Sequence, residues 1–136
     1  MEKYALIGHP LGHSMSPLIH ESLFALSGKN DVSYELVDIA PEKLSASEDL
    51  IKSFNGLNVT IPHKQNVIPF MSELGASAER YHSVNCIQNQ NGKLTGYNTD
   101  CDGFLMSAEK LPISENVAVL GCGGVGRMIA IETALH

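Results

Sequence analysis

Short apolar runs alternate with polar stretches broken by glycine or proline, and the alternation predicts strands and helices in turn. Tyr4–Gly8 (YALIG) is an apolar run ending in glycine, the pattern of a strand buried on both faces. After the loop HPLGHSMSP, Ser16 before Pro17 predicts a helix start, with the serine as N-cap and proline at the first helical position. Ile19, Leu23 and Leu26 recur at helical spacing, and Gly28 is placed to end the helix. VSYELVDI from Val32 reads as a second strand, parallel to the first in a β-α-β unit. Pro41 opens another helix, in which Leu50, Ile51 and Phe54 form one stripe before the Asn55-Gly56 stop. Leu57–Pro62 (LNVTIP) is a third strand with β-branched residues.

From His63 to about Tyr81 the spacing predicts irregular helix, interrupted near Pro69 and Gly75. VNCIQNQNGKLTGY predicts a hairpin around Asn91-Gly92, the pair favoured in a type I′ turn. Phe104, Ala108 and Leu111 mark a helix ended by Pro112; Val117–Leu120 is a terminal strand, and Met128, Ile131 and Leu135 share one face of the helix after it. No repeat, low-complexity tract or flexible linker appears. The organisational break lies around Asp100 to Pro112, which divides the chain into a β-α-β domain at 1–101 and a linking helix with a single β-α start at 102–136.

Size and composition narrow the class. A chain of 136 residues can bury roughly two thirds of the surface its unfolded form exposes, enough for a real core. No apolar run approaches the ~18 residues of a membrane span. The opening MEKYALIGHP lacks the basic and apolar segments of a secretory signal, so the expected location is the cytoplasm. Nine Lys and Arg against fifteen Asp and Glu, a formal charge of −6, give no general attraction to phosphate backbones or anionic lipid. Neither nucleic acid nor a membrane is an expected partner. Cys86, Cys101 and Cys122 are odd in number and widely spaced, the pattern of reduced thiols. His9 and His13 are four apart, but Pro10 and Gly12 deny them a continuous helix, and no metal site is expected.

Some segments carry possible chemistry. Gly121, Gly123 and Gly126 in GCGGVG have the spacing G-x-G-x-x-G between a predicted strand and a predicted helix, where glycines permit a tight turn and close approach of a pyrophosphate to the helix N-terminus. Arg127 and Met128 stand where a P-loop needs Lys and Ser or Thr, which sets an ATPase reading aside. The acidic or basic residue that separates NAD from NADP lies about 20 residues beyond such glycines, past His136. Ser14 and Ser16 could hold a carboxylate at a helix start, although local sequence alone favours a simple N-cap for Ser16. Asn58 and Thr60 share one side of a strand end, and Lys64 sits just beyond Pro62, near where α/β proteins bind ligands. Asn98, Thr99, Asp100 and Asp102 read on their own as a turn or helix cap.

In order along the chain, GHPLGHSMSP, LNVTIPHK, VNCI, GYNTD and VLGCGGVGR resemble the successive motifs of the shikimate dehydrogenases. The resemblance runs from Tyr4 onward and covers the first half of a family member. It implies an α/β fold: a three-layer α/β/α substrate domain with a mostly parallel mixed sheet, followed by an incomplete Rossmann β-α start. It implies an enzyme that reduces 3-dehydroshikimate to shikimate reversibly with NADPH, on the route to aromatic amino acids. By resemblance Ser14, Ser16 and Thr60 hold the substrate carboxylate; Asn58, Asn85, Lys64 and Asp100 bond the ring hydroxyls; Lys64 and Asp100 form the catalytic pair. Gly121, Gly123, Gly124, Gly126 and Arg127 fall in the NADP-binding motif. Departures from the family pattern are Cys86 for threonine, Cys101 for glycine, and His82-Ser83 for Gly-Ala, which leaves quinate open as a related substrate. On this reading the 136-residue chain is a truncated, inactive piece whose last strand and helix invite association with another copy. The rival expectation is a non-catalytic module that binds a small carboxylate or a protein.

Overall fold

A computed structural model describes residues 1–109, 116–121 and 123–135. Its centre is a six-stranded sheet of order β2-β1-β3-β5-β6-β4, formed by β1 (Glu2–Gly8), β2 (Val32–Asp38), β3 (Gly56–Val59), β4 (Glu73–Leu74), β5 (Cys86–Gln90) and β6 (Lys93–Tyr97). The helices are α1 (Ser16–Leu26), α2 (Glu48–Lys52), α3 (Ala76–Tyr81), α4 (Thr99–Ala108) and α5 (Gly124–Leu135). β1 runs parallel to both β2 and β3, β4 runs parallel to β6, and the β3–β5 and β5–β6 pairs are antiparallel. This is the mostly parallel mixed sheet that the motifs imply.

The main core lies on one face, where Ala5, Ile7, Leu57, Val59, Ile87 and Leu94 from alternate strand positions meet Leu44, Ile51, Phe54, Val67 and Ala78. β1 is buried on its other face too, where Leu6 packs with Leu11 and Tyr34. The β5–β6 hairpin turns through Asn91 (φ 54°) and Gly92 (φ 88°), the two positive φ values a type I′ turn needs.

Several local expectations are corrected. Ser16 is not the N-cap of α1; Met15 takes that position with no side-chain cap, and the Ser16 backbone N–H donates to Ser14 Oγ at 3.2 Å. The stripe Ile19, Leu23 and Leu26 is exposed, at 53%, 53% and 86%. α1 is seated instead by Pro17, His20 and Phe24, because the sheet beneath it offers rings: Phe24 meets Tyr4, and His20 stacks on Tyr34. The segment from Pro41 splits into a 3-10 helix, Pro41–Ala46, and the short α2, with Leu50 exposed. Between His63 and Tyr81 the irregular stretch hides β4, two residues that join the sheet edge through β6 and are too short for any periodicity. Val117–Leu120 form no strand; a strand exists through its ladder, and no described segment pairs with them. α5 buries Met128 and Glu132 while Ile131 and Leu135 face outward, since Glu132 is drawn to partners on α3 and α4. Leu111, Pro112 and Cys122 lie outside the described residues.

Gly8 ends β1 where no side chain fits: a Cβ there would come within 2.4 Å of Thr60 Cγ2, 2.9 Å of Leu11 Cδ2 and 3.0 Å of the Ile61 carbonyl. Gly8→Ala is expected to lower stability by ~1–3 kcal/mol, the ordinary cost of overpacking. Urea denaturation measures this, and an unchanged midpoint would show that the β1 and β3 loops separate freely.

Candidate functional site

Strand direction gathers the site at one edge of the sheet. β1 and β3 are parallel, so the loops leaving them emerge together, tied by His9 N–H to Ile61 O at 3.0 Å and Thr60 N–H to Ile7 O at 2.9 Å. β5 is antiparallel to β3 and therefore begins where β3 ends: Val59 N–H donates to Asn85 O at 2.8 Å. β6 returns to the same edge, where Asn85 N–H donates to Tyr97 O at 2.9 Å and α4 starts. Four segments far apart in sequence thus meet at the carboxyl ends of the parallel strands, the usual ligand position in such sheets.

Lys64 and Asp100 are in contact, with Lys64 Nζ donating to Asp100 Oδ2 at 2.6 Å. Both are partly buried, 24% and 34% exposed at the side chain. Asp100 sits in the first turn of α4, whose N-cap is Asn98: its Oδ1 accepts from the backbone N–H of Asp100 at 3.2 Å and of Cys101 at 3.3 Å. The cap expected in this segment is therefore real, and it aims Asp100. Asn85 holds the other carboxylate oxygen, its Nδ2 donating to Asp100 Oδ1 at 2.9 Å while its Oδ1 accepts from Thr99 N–H at 2.8 Å. With both amide ends engaged, Asn85 acts on Asp100.

A second polar group lies beside α1. Ser14 Oγ donates to Ser16 Oγ at 3.1 Å, and the Tyr34 hydroxyl donates to Asn58 Oδ1 at 2.8 Å. Burial pushes the Tyr34 hydroxyl up to about 12, against an opposing effect of the nearby Ser16 hydroxyl. Tyr34 and His20 were not singled out in the sequence; the only signal for them was an aromatic residue in β2 and a histidine one turn into α1. Thr60, the last predicted member of the set, lies half-buried just past β3 against Gly8.

Two clefts adjoin these groups. The larger, about 750 Å³, runs over the sheet face left open beside α1 and is lined by Tyr34, Asn58, Cys86, Tyr97 and Thr99 among others. The smaller, about 310 Å³, contains Lys64, Asp100 and Asn98 together with Gly124, Val125 and Met128 of α5. The larger volume is not where the charged pair lies, and the chemistry points to the smaller one. Among the described residues no cluster of metal-binding side chains occurs.

The glycine-rich turn fits a dinucleotide. Gly121 has φ 101°, and a Cβ on Gly126 would approach the Gly121 carbonyl to 2.4 Å, so the turn closes tightly onto the start of α5. Gly123 and Gly124 have open space around them, and Arg127 is exposed on the first turns of α5. The departures from the family pattern have definite places. His82 ends α3 in the left-handed conformation at φ 49°, where glycine would sit without strain. Cys101 points to α5 and away from the charged pair: it is buried, its Sγ donates to Glu132 Oε1 at 3.5 Å, and burial first, then Glu132, push the thiol up to about 11.

The shikimate dehydrogenase substrate binding domain matches residues 6–87 of this chain. The chain belongs to the shikimate dehydrogenase family. A shikimate dehydrogenase (NADP(+)) of Moorella thermoacetica is 42% identical over 135 residues, covering 96% of this chain and 45% of the relative. The Thermus thermophilus shikimate 5-dehydrogenase in complex with shikimate superposes with a TM-score of 0.90 at 33% identity, over 99% of this chain and 53% of that one. The same Thermus enzyme in complex with NADP(H) and shikimate matches equally well, with a TM-score of 0.90. The chain spans about half the length of the curated relatives it matches.

Tyr34 gives a pH dependence with a definite sign. A phenol whose folded pKa is raised stabilises the fold fully below its unfolded pKa of ~10, and the contribution is lost as pH rises through the folded value. The stability advantage of the native chain over Tyr34→Phe is expected to hold up to about pH 10 and to shrink by on the order of 2 kcal/mol toward pH 12. Urea denaturation of both chains across pH 8–12 reads this; a constant gap would mean that the hydroxyl is solvated.

Proposed function

We propose that this chain supplies the substrate-binding half of an NADP-dependent shikimate dehydrogenase, residues 1–101, joined through α4 to the opening of its cofactor-binding half at 102–136. The observation that carries the reading is the Lys64–Asp100 pair set in one cleft with the first turn of α5. A proton donor and the end of a dinucleotide-binding helix are then within one small volume, as hydride transfer to a ketone requires. The relatives' names, which specify NADP(+), and the Thermus complex with shikimate support the choice of cofactor and ligand.

Each residue then has a task. Ser14, Ser16 and Thr60 hold the ligand carboxylate through hydroxyl and backbone donors, and hydrogen bonds to a charged group contribute ~1.5–3 kcal/mol each. Asn58 orients a ring oxygen, and Asn85, itself bonded to Thr99, holds Asp100 in place from the protein side. When 3-dehydroshikimate is reduced, negative charge grows on the ketone oxygen; Lys64 Nζ stabilises that charge and gives it a proton, which Asp100 steers by anchoring the ammonium. In the reverse direction Lys64 Nζ takes the proton from the shikimate hydroxyl. Gly121, Gly123, Gly124, Gly126 and Arg127 would hold NADP, whose nicotinamide supplies the hydride.

Calorimetric titration of the chain with shikimate tests the reading. Binding is expected, and Lys64→Ala should weaken it at least ~10-fold while the circular dichroism spectrum stays unchanged. A folded native chain with no heat of binding would reject shikimate as the ligand of this half.

A further inference from the structure

The hydrogen bond between Tyr34 and Asn58 beside the larger cleft has a direction. Ser14 Oγ accepts the Ser16 backbone N–H at 3.2 Å and lies 3.1 Å from Ser16 Oγ, so the two serines form one small group at the start of α1. The Tyr34 hydroxyl donates to Asn58 Oδ1 at 2.8 Å, and an amide oxygen can only accept. The acceptor belongs to an amide, which has one acceptor end and one end with two donors. Oδ1 is occupied, and Asn58 Nδ2 has no partner among the described residues, on a side chain that lines the cleft.

We propose that Tyr34 is a positioning residue that acts through Asn58: by occupying Oδ1 it fixes the amide so that the site offers N–H hydrogens and selects a ligand with an oxygen acceptor at that point. On the shikimate reading, on which the ligand part of this rests, the acceptor is a ring hydroxyl oxygen. Tyr34 is built for the task. Its ring is 8% exposed and stacks on His20 at a centroid distance of 4.0 Å and 12°. His20 is itself tied to the Ser16 carbonyl through Nδ1 at 2.9 Å, so the ring cannot swing without disturbing α1. Its hydroxyl, pushed up to about 12, keeps its hydrogen throughout the neutral range.

The test uses the ¹⁵N-labelled chain. Tyr34→Phe keeps the ring and the stack but removes the hydroxyl; it should shift and broaden the Asn58 side-chain amide signals, assigned by their loss in Asn58→Ala. Shikimate affinity should fall ~5–20-fold in Tyr34→Phe, the effect of one lost hydrogen bond, and at least ~10-fold in Asn58→Asp, which keeps the acceptor for Tyr34 and removes Nδ2. Adding Tyr34→Phe to Asn58→Ala should cost less than about twofold more, a non-additivity that a merely structural role for the ring would not produce. Unmoved Asn58 amide signals in Tyr34→Phe, or independent effects of the two substitutions, would overturn the proposal. If Tyr34→Phe does not fold, Asn58→Asp decides, and shikimate binding within about twofold of the native chain overturns it. Amide signals that move in Tyr34→Phe, in a native chain that does not bind shikimate, uphold the positioning and reject the ligand.

Discussion

The antiparallel β3–β5 ladder, closed at the site end by the bond from Val59 N–H to Asn85 O, is where the two halves of the sheet are joined. On one side of it the strands are parallel and deliver their loops to a common edge; on the other, the hairpin brings Asn85 and the start of α4 back to that edge. Had β5 paired parallel to β3, its first residue would lie at the opposite end of the sheet, and Asn85 would be a β3 length away from Lys64. A reversal in one strand direction is therefore what allows residues 36 positions apart, Lys64 and Asp100, to form an ion pair.

The polar residues of the site are arranged in two groups with different physics. Around Asp100 the constraint is charge: an ammonium on one oxygen, an amide on the other, and a capped helix start behind it. Around Tyr34 the groups are neutral and the constraint is direction, since each hydroxyl can serve as donor or acceptor until its neighbour decides. The register pair Asn58 and Cys86 lies between the two groups, Asn58 taking the Tyr34 hydrogen and Cys86 following directly on Asn85. A ligand that bridges them must match a charged end and a set of oriented donors together.

Most of the elements were legible because they are written in local pattern: apolar runs closed by glycine and the Asn91-Gly92 turn; Lys64 and Asp100 say little in their own stretches, and their pairing was implied only by the family resemblance that five motifs in order carry. What was not legible was decided at a distance. The apolar stripe of α1 is visible in sequence, yet the helix sits on Pro17, His20 and Phe24, because β1 and β2 present Tyr4 and Tyr34 to it. β4 has only two residues and exists through β6. The apolar pattern of Val117–Leu120 is that of a strand, but pattern supplies no partner for its backbone. Ser16 reads as a cap because serine before proline usually is one; here the neighbouring serine takes its backbone N–H.

Glu132 shows the same logic at the other end of the chain. A carboxylate only 1% exposed runs against the usual pattern for a helix face, and burying it unpaired would be very costly. It is tolerated because Tyr81, Arg80 (3.0 Å) and Cys101 (3.5 Å) converge on Oε1, and these hydrogen bonds, that of Tyr81 foremost, hold the carboxyl below its usual range against the opposing effect of burial. Three donors from α3 and α4 meeting on one oxygen tie α5 to both helices. Met128 lies one turn earlier on the same side and lines the cleft of Lys64 and Asp100, so the seating of Glu132 also sets where Gly124 and Val125 face. The position of the glycine-rich turn relative to the charged pair thus depends on a buried acid that is itself held in place by Tyr81 and Cys101.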